Sequence, residues 1–355
     1  MSSKNSVRYR LAPQTKFYDS MGADWKPFVM FNQFPNIRSS YCNTDLFGLR
    51  FNNFENKENE YNSIFEEKVT DSKKKAVLVG NSTAFGEGAT SDHKTISSYL
   101  SKFSDYHFYN FCGRGFSGYQ EINNFLLLVK KIKKLERVII VSGVIDSFLP
   151  YYVKDYDDNL VPIFGYNLFL KSMRNSARGW KNKVFKTLFG NFFSKDADWD
   201  QINALNWRQE LFFKKKYFIN KDLKPDNNLQ TIAERNLMIW STLAKGMNVK
   251  VDFMMQPVGS WSQKKLSTEE KQIFEEEDNS KDLQRFYKFV DHQKYIFLRN
   301  ILKKNCEKYN INFLDCNEIF QESKYSKEWI FLSRLHLTDK GNEYTAKILL
   351  DNFIK

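Results

Sequence analysis

Two short apolar runs anchor the pattern of the chain. Ala76-Val77-Leu78-Val79 is apolar on both faces of an extended segment, and Arg137 to Ser142 repeats that character. Such runs suit central strands of a parallel sheet covered by helices on each side. Between them, Thr95 to Lys102 reads as helix and Tyr106 to Cys112 as a short strand. Tyr119 to Leu135 reads as a helix enclosing Leu126, Leu127, Leu128 and Val129, with lysines at its end, where cations complement the helix dipole. The alternation resumes with a helix from Asn228 to Lys245 and a strand from Val249 to Gln256. A charged helical stretch follows from Ser267 to Tyr309, then a strand from Ile311 to Leu314 and an amphipathic helix from Asn342 to Ile354. Strand, helix and strand at this spacing make βαβ units. The expected fold class is α/β, a three-layer α/β/α sandwich with a parallel central sheet.

Two stretches leave this rhythm. Residues 1 to 72 are rich in Asn, Phe, Tyr and Arg without a helical period, so irregular structure and short strands are expected there, packed on the core. From Leu149 to Leu223 the rhythm breaks again. Gly165 to Lys195 carries Lys171, Arg174, Arg178, Lys181, Lys183, Lys186 and Lys195 among many aromatics and no acidic residue. The domain reading is an N-terminal extension over 1–72, an α/β domain over 73–150 and 224–355, and a basic aromatic insertion over 151–223, acting as a lid or a surface-docking element.

Composition narrows the class. With 42% hydrophobic and 16% aromatic residues in 355, the chain is a packed globular protein and not a disordered one. The net charge of +12 favours either a solvated basic face or an anionic partner, a membrane leaflet or acidic polysaccharide. The excess concentrates in the insertion and no RNA-binding aromatic motif accompanies it, so no nucleic acid is expected. Cys42, Cys112, Cys306 and Cys316 form no C-x-x-C pair, which fits a reduced compartment. Met1 to Leu11 lacks the apolar core of a signal peptide, and no run approaches the roughly 18 apolar residues of a membrane span. A cytoplasmic protein is expected, with the insertion offering peripheral attachment to a membrane. His93, His107 and His292 show no ligand spacing, so no metal is implied. Gly80 to Gly88 matches neither G-x-G-x-x-G nor G-x-x-x-x-G-K-[ST], so no nucleotide cofactor is expected.

The chemistry gathers on four short blocks. Gly80-Asn81-Ser82 closes the first buried strand, and in open α/β sheets ligands bind beyond the carboxyl ends of the strands. Ser82 is therefore a candidate nucleophile. Serine catalysis also needs a histidine base, a group to orient it and donors for the oxyanion. His336, just before the last helix, is the candidate base.

Gly80-Asn81-Ser82 with Phe85-Gly86-Glu87-Gly88, then Asn110-Phe111-Cys112-Gly113-Arg114-Gly115-Phe116, then Gly143-Val144-Ile145-Asp146, then His336-Leu337-Thr338 with Gly341-Asn342, stand in the order and spacing of the SGNH (GDSL-like) hydrolases. The resemblance spans roughly 74–150 and 228–350. It implies a flavodoxin-like sandwich, Ser82 as nucleophile, His336 as base and Gly115 as a backbone oxyanion donor. Tyr41 to Arg50, and Gln256-Pro257 before Ser267-Thr268-Glu269-Glu270, are similar to stretches of bacterial members that act on acylated sugars of surface polysaccharides. Three positions depart from the pattern. Asn81 replaces the acid of the first block, Ile145 stands where the oxyanion Asn belongs, and Ser333 stands where an Asp would orient His336. Losing an oxyanion donor costs roughly 10²- to 10³-fold, and losing a triad acid up to about 10⁴-fold. Two replacements offer themselves. Ser333 could accept from the His336 imidazole through its hydroxyl, and Asn81 or an inserted residue could supply a donor. The expected activity is a serine esterase or deacylase on an acylated carbohydrate or related ester. An acyltransferase or a degenerate binding protein on the same fold are the alternatives.

Overall fold

In the computed structural model, which describes residues 6–52, 63–65, 73–152, 225–280, 283–284, 287 and 290–355, the chain opens with two short helices, α1 (Val7–Leu11) and α2 (Thr15–Ser20). An antiparallel hairpin of β1 (Asp24–Lys26) and β2 (Met30–Asn32) follows. The α/β rhythm then runs through β3 (Lys74–Gly80), α3 (Ser82–Phe85), α4 (Ile96–Phe103), β4 (Tyr106–Asn110), α5 (Gly118–Leu128), β5 (Leu135–Ser142) and α6 (Val144–Tyr152). It resumes with α7 (Pro225–Met247), β6 (Lys250–Met255), α8 (Thr268–Asp278), α9 (His292–Lys308), β7 (Asn312–Asp315), α10 (Cys316–Phe320) and α11 (Asp339–Leu349). The basic insertion read over 151–223 lies, from residue 153 onward, outside the described residues.

Strands β3 to β7 form one five-stranded sheet in the order β4-β3-β5-β6-β7, parallel at every pairing. The chain steps from β3 to β4 on one side and then returns past β3 to β5. Winding therefore reverses between β3 and β5, and a crevice opens beyond their carboxyl ends, as in doubly wound flavodoxin-like sheets.

The period of two along the strands builds a core on each face. Val77 and Val79 of β3, Val138 and Ile140 of β5, and Val251, Phe253 and Met255 of β6 pack with α5, α6, α7 and α9 through residues such as Phe125, Phe148, Trp240 and Leu298. Ala76 and Leu78, Ile139 and Val141, and Met254 point the other way and meet Leu100 of α4, Phe274 of α8, Phe320 of α10 and Leu349 of α11. This is the three-layer α/β/α sandwich the alternation implies.

Differences from the sequence reading have physical causes. The helix expected to reach Leu135 ends at Leu128, where the chain tightens into a 3₁₀ turn over Val129–Lys131, and Leu135 opens β5. The charged helical stretch from Ser267 holds α8 and α9 among its described residues. The first opens on a capping box in which the Ser267 N–H donates to Glu270 at 2.8 Å and the Glu270 N–H to the Ser267 hydroxyl at 3.2 Å. In the extension, α1 and α2 occupy a region read as irregular. Their inward side is polar: Arg8 pairs with Asp19, and the Glu276 carboxylate accepts from Ser6 Oγ at 2.9 Å and Val7 N at 3.0 Å. An apolar period cannot reveal a helix that buries an arginine.

The extension also reaches the first glycine turn. Arg50, fully buried, donates to Asp92 at 2.8 Å, to the Gly86 carbonyl at 2.7 Å and to the Tyr41 carbonyl at 2.6 Å. Gly86 lies at φ +87, and a Cβ there would stand 2.8 Å from Thr95 Cγ2. The turn after α3 thus requires glycine for both its conformation and its space.

Candidate active site

Strand β3 ends at Gly80, where a Cβ would come within 2.3 Å of the Val141 carbonyl oxygen, so the backbone passes directly against β5. Asn81 then caps α3, its Oδ1 accepting from Thr83 N at 3.1 Å, and Ser82 becomes the first helical residue. Its position at the mouth of the crevice follows from this strand-to-helix turn.

His336 arrives from the other end of the chain. It sits in a tight excursion before α11, closed by the Leu332 N–H donating to the His336 carbonyl at 2.8 Å and the Thr338 N–H to the Ile330 carbonyl at 2.8 Å. Thr338 then caps α11 through its hydroxyl, which accepts from Gly341 N at 3.0 Å. The outcome is a contact between residues 254 positions apart: His336 Nε2 lies 2.9 Å from Ser82 Oγ. At the far side of the ring, Ser333 Oγ lies 3.2 Å from Nδ1. Ser82, Ser333 and His336 are all buried.

The remaining expected site residues fare differently. Gly115 occupies the second glycine turn, half-buried and at φ +72. Asn81 serves the turn instead of offering an oxyanion donor: its oxygen caps α3, and its amide donates to Gln256 Oε1. Ile145 begins α6 and packs in the core with Val144 and Phe148, presenting an alkyl group. Ser333 Oγ already accepts from the N–H groups of Leu335 at 3.2 Å and His336 at 3.1 Å, which changes what it offers to the imidazole.

Two contributors stand in the quoted segments without a site role read for them from sequence. Gln256, at the end of β6, donates from Nε2 to Thr83 Oγ1 at 2.8 Å, and Thr83 Oγ1 donates to the Leu335 carbonyl at 2.7 Å. Its place just beyond a central strand was the available signal. Glu87, buried, sits with Oε2 at 3.8 Å from His336 Nε2 and is held by Arg114 Nε at 2.9 Å. Arg114 is fixed in turn by the Tyr18 and Met21 carbonyls, at 2.9 and 3.2 Å.

No family model and no curated protein matches the chain. Among solved structures it is similar to a lipase/acylhydrolase from Enterococcus faecalis at 10% identity, covering 78% of this chain and 94% of that one with a TM-score of 0.41. It is also similar to the acetyl xylan esterase AlAXEase, at 12% identity over 79% of this chain and 100% of that one, TM-score 0.39. A member of the lipolytic protein G-D-S-L family from Veillonella parvula DSM 2008 is similar at 11% identity, covering 79% of this chain and 99% of that one, TM-score 0.38.

Beside the crevice, between β5 and helices α5, α6, α7 and α9, lies a separate cavity of about 20 Å³, room for one water, which neither Ser82 nor His336 lines. Two acids face it. Burial holds the Glu121 carboxyl well above its usual range, against the pull of the Ser142 hydroxyl, which donates at 2.6 Å. Burial also pushes Asp146 up to about 6, opposed by the Gly118 N–H, by Arg235 and by Asn236. Among the described residues no group of three or more His, Cys, Asp or Glu is placed to hold a metal, and no helix is long and apolar enough to cross a membrane.

Proposed function

We propose that the protein is a serine acyl-ester hydrolase of the SGNH type, acting on an acylated carbohydrate or related ester. The observation that carries this reading is the 2.9 Å approach of Ser82 Oγ to His336 Nε2 at the switch point of the sheet. Ser82 Oγ attacks the acyl carbon while its proton passes to Nε2, and the alcohol leaves with that proton. Water then releases the acyl group by the same route. The substrate class rests on the block order and the segments similar to members acting on acylated sugars. A binding protein on the same fold is the second reading, favoured by the alkyl side chain of Ile145 and the engaged amide of Asn81. A fluorophosphonate probe separates the two. Labelling of the wild type that is lost in Ser82→Ala is the expected result, and equal labelling of both proteins would refute the nucleophile.

A further inference from the structure

The direction of the Ser82–His336 hydrogen bond follows from the groups on either side of the ring. A serine hydroxyl has one proton to donate and two lone pairs with which to accept. Ser333 Oγ takes the backbone N–H of Leu335 at 3.2 Å and that of His336 at 3.1 Å. Both lone pairs are then committed. What remains is the hydroxyl proton, and among the described residues the acceptor within its reach is His336 Nδ1, at 3.2 Å. A carboxylate at position 333 would differ in kind: with two oxygens and no proton, it could accept those N–H groups and the Nδ1 proton together. Ser333 makes Nδ1 an acceptor, so the single proton of the neutral imidazole belongs on Nε2.

The other side of the ring acts in the same sense. Glu87 Oε2 stands 3.8 Å from Nε2. The bond from Arg114 Nε at 2.9 Å holds the carboxylate in place, with Arg114 anchored on two main-chain carbonyls. A negative charge beside Nε2 favours a proton on that nitrogen. The positive charge of Arg114 offsets part of this field, so Ser333 sets the tautomer and Glu87 reinforces it.

We infer that the resting site holds this bond in reverse, with His336 Nε2–H donating to Ser82 Oγ, and that Ser333 and Glu87 are the positioning residues that keep it so. The inference deepens the serine-hydrolase reading and rests on it for its consequence. A ring that already carries its proton on Nε2 cannot take one from Ser82, and turnover must start from the minor tautomer. The site is then a slowed nucleophile whose brake is a hydroxyl at position 333.

The tautomer is directly measurable. In uniformly ¹⁵N-labelled full-length protein at pH 8, with the ring signals assigned by their loss in His336→Ala, the wild type should show a protonated, pyrrole-type Nε2 and an unprotonated, pyridine-type Nδ1. Ser333→Asp should reverse the two. A wild-type ring with its proton on Nδ1 overturns the inference whatever the variant does. A ring unchanged by Ser333→Asp in a folded protein also overturns it, since position 333 would then not set the tautomer. The fluorophosphonate rate is read in parallel and should rise roughly 10²- to 10⁴-fold in Ser333→Asp, the range over which a wrong tautomer suppresses a serine triad. Absence of Ser82-dependent labelling in every variant counts against the hydrolase reading, while the nitrogen signals decide the tautomer independently.

Discussion

Replacing Asp146 by Asn should stabilise the protein at neutral pH and do much less near pH 4. Asp146 is half-buried at the start of α6, where both carboxylate oxygens accept from Gly118 N, at 3.1 and 3.2 Å. Burial raises its pKa from the ordinary 3.8 to about 6 in spite of that bond, of Arg235 and of Asn236. The neighbouring acid Glu121 faces the same cavity. Because the folded pKa lies above the unfolded one, the folded protein binds this proton more tightly, and stability falls as pH rises from about 4 to about 6. At about 1.4 kcal/mol per pH unit, the full penalty above pH 7 is about 3 kcal/mol, and about 2 kcal/mol of it accumulates between pH 4 and pH 7. Asn keeps an acceptor for Gly118 N and brings a donor toward Asn236 Oδ1, which is buried without a hydrogen-bond partner among the described residues. Urea denaturation of both proteins at pH 4 and pH 7.5 tests the argument. The stability difference in favour of Asp146→Asn should grow by about 2 kcal/mol between the two conditions. A difference that is constant with pH, or that favours the wild type at pH 7.5, would refute the account of a destabilising, desolvated carboxylate.

Two further outcomes follow from named contacts. Ile145→Asn should raise turnover of p-nitrophenyl acetate by about 10- to 1000-fold if an amide there completes the oxyanion hole, at a stability loss of roughly 1–3 kcal/mol for placing an amide in an apolar core; unchanged turnover in a folded variant would mean position 145 does not face the oxyanion. Arg114→Ala should cost about 3–5 kcal/mol, because it leaves the buried Glu87 carboxylate without its cation, and a loss below about 1 kcal/mol in urea denaturation would show that the pair behaves as an exposed one.

The sheet was readable because its strands carry long apolar runs. Val77 to Val79 and Val138 to Val141 bury both faces, and their alternate residues divide between the two cores. Ser82 and His336 were readable from the glycine turn and the helix start that flank them. What stayed hidden depends on partners distant in sequence. Glu87 is one residue of a glycine turn until Arg114 and His336 fold against it, and Gln256 gains its role only through Asn81 and Thr83. Asn81 was offered as a substitute oxyanion donor, but helix α3 takes its oxygen as a cap and the end of β6 brings Gln256 to its nitrogen. The polar inner face of α1 left no period to detect, and the exposed Leu126 and Leu127 made α5 look longer than it is.

The 2.9 Å approach of Ser82 to His336 is set by residues outside the pair itself. Asn81 donates to Gln256, Gln256 to Thr83, and Thr83 to the carbonyl of Leu335, the residue just before the histidine. Gln256 is itself fixed by main-chain bonds, its N–H donating to the Ser142 carbonyl at 3.0 Å and its carbonyl accepting from Asn317 Nδ2 at 3.0 Å. This chain ties the turn after β3 to the loop before α11 across the ends of β5 and β6. Neither Ile145 nor the Ser333 side chain is a member of it. The frame that brings Ser82 and His336 together is therefore separable from the side chains at positions 145 and 333. A chain can keep that frame intact while an alkyl group stands at position 145 and a hydroxyl at position 333.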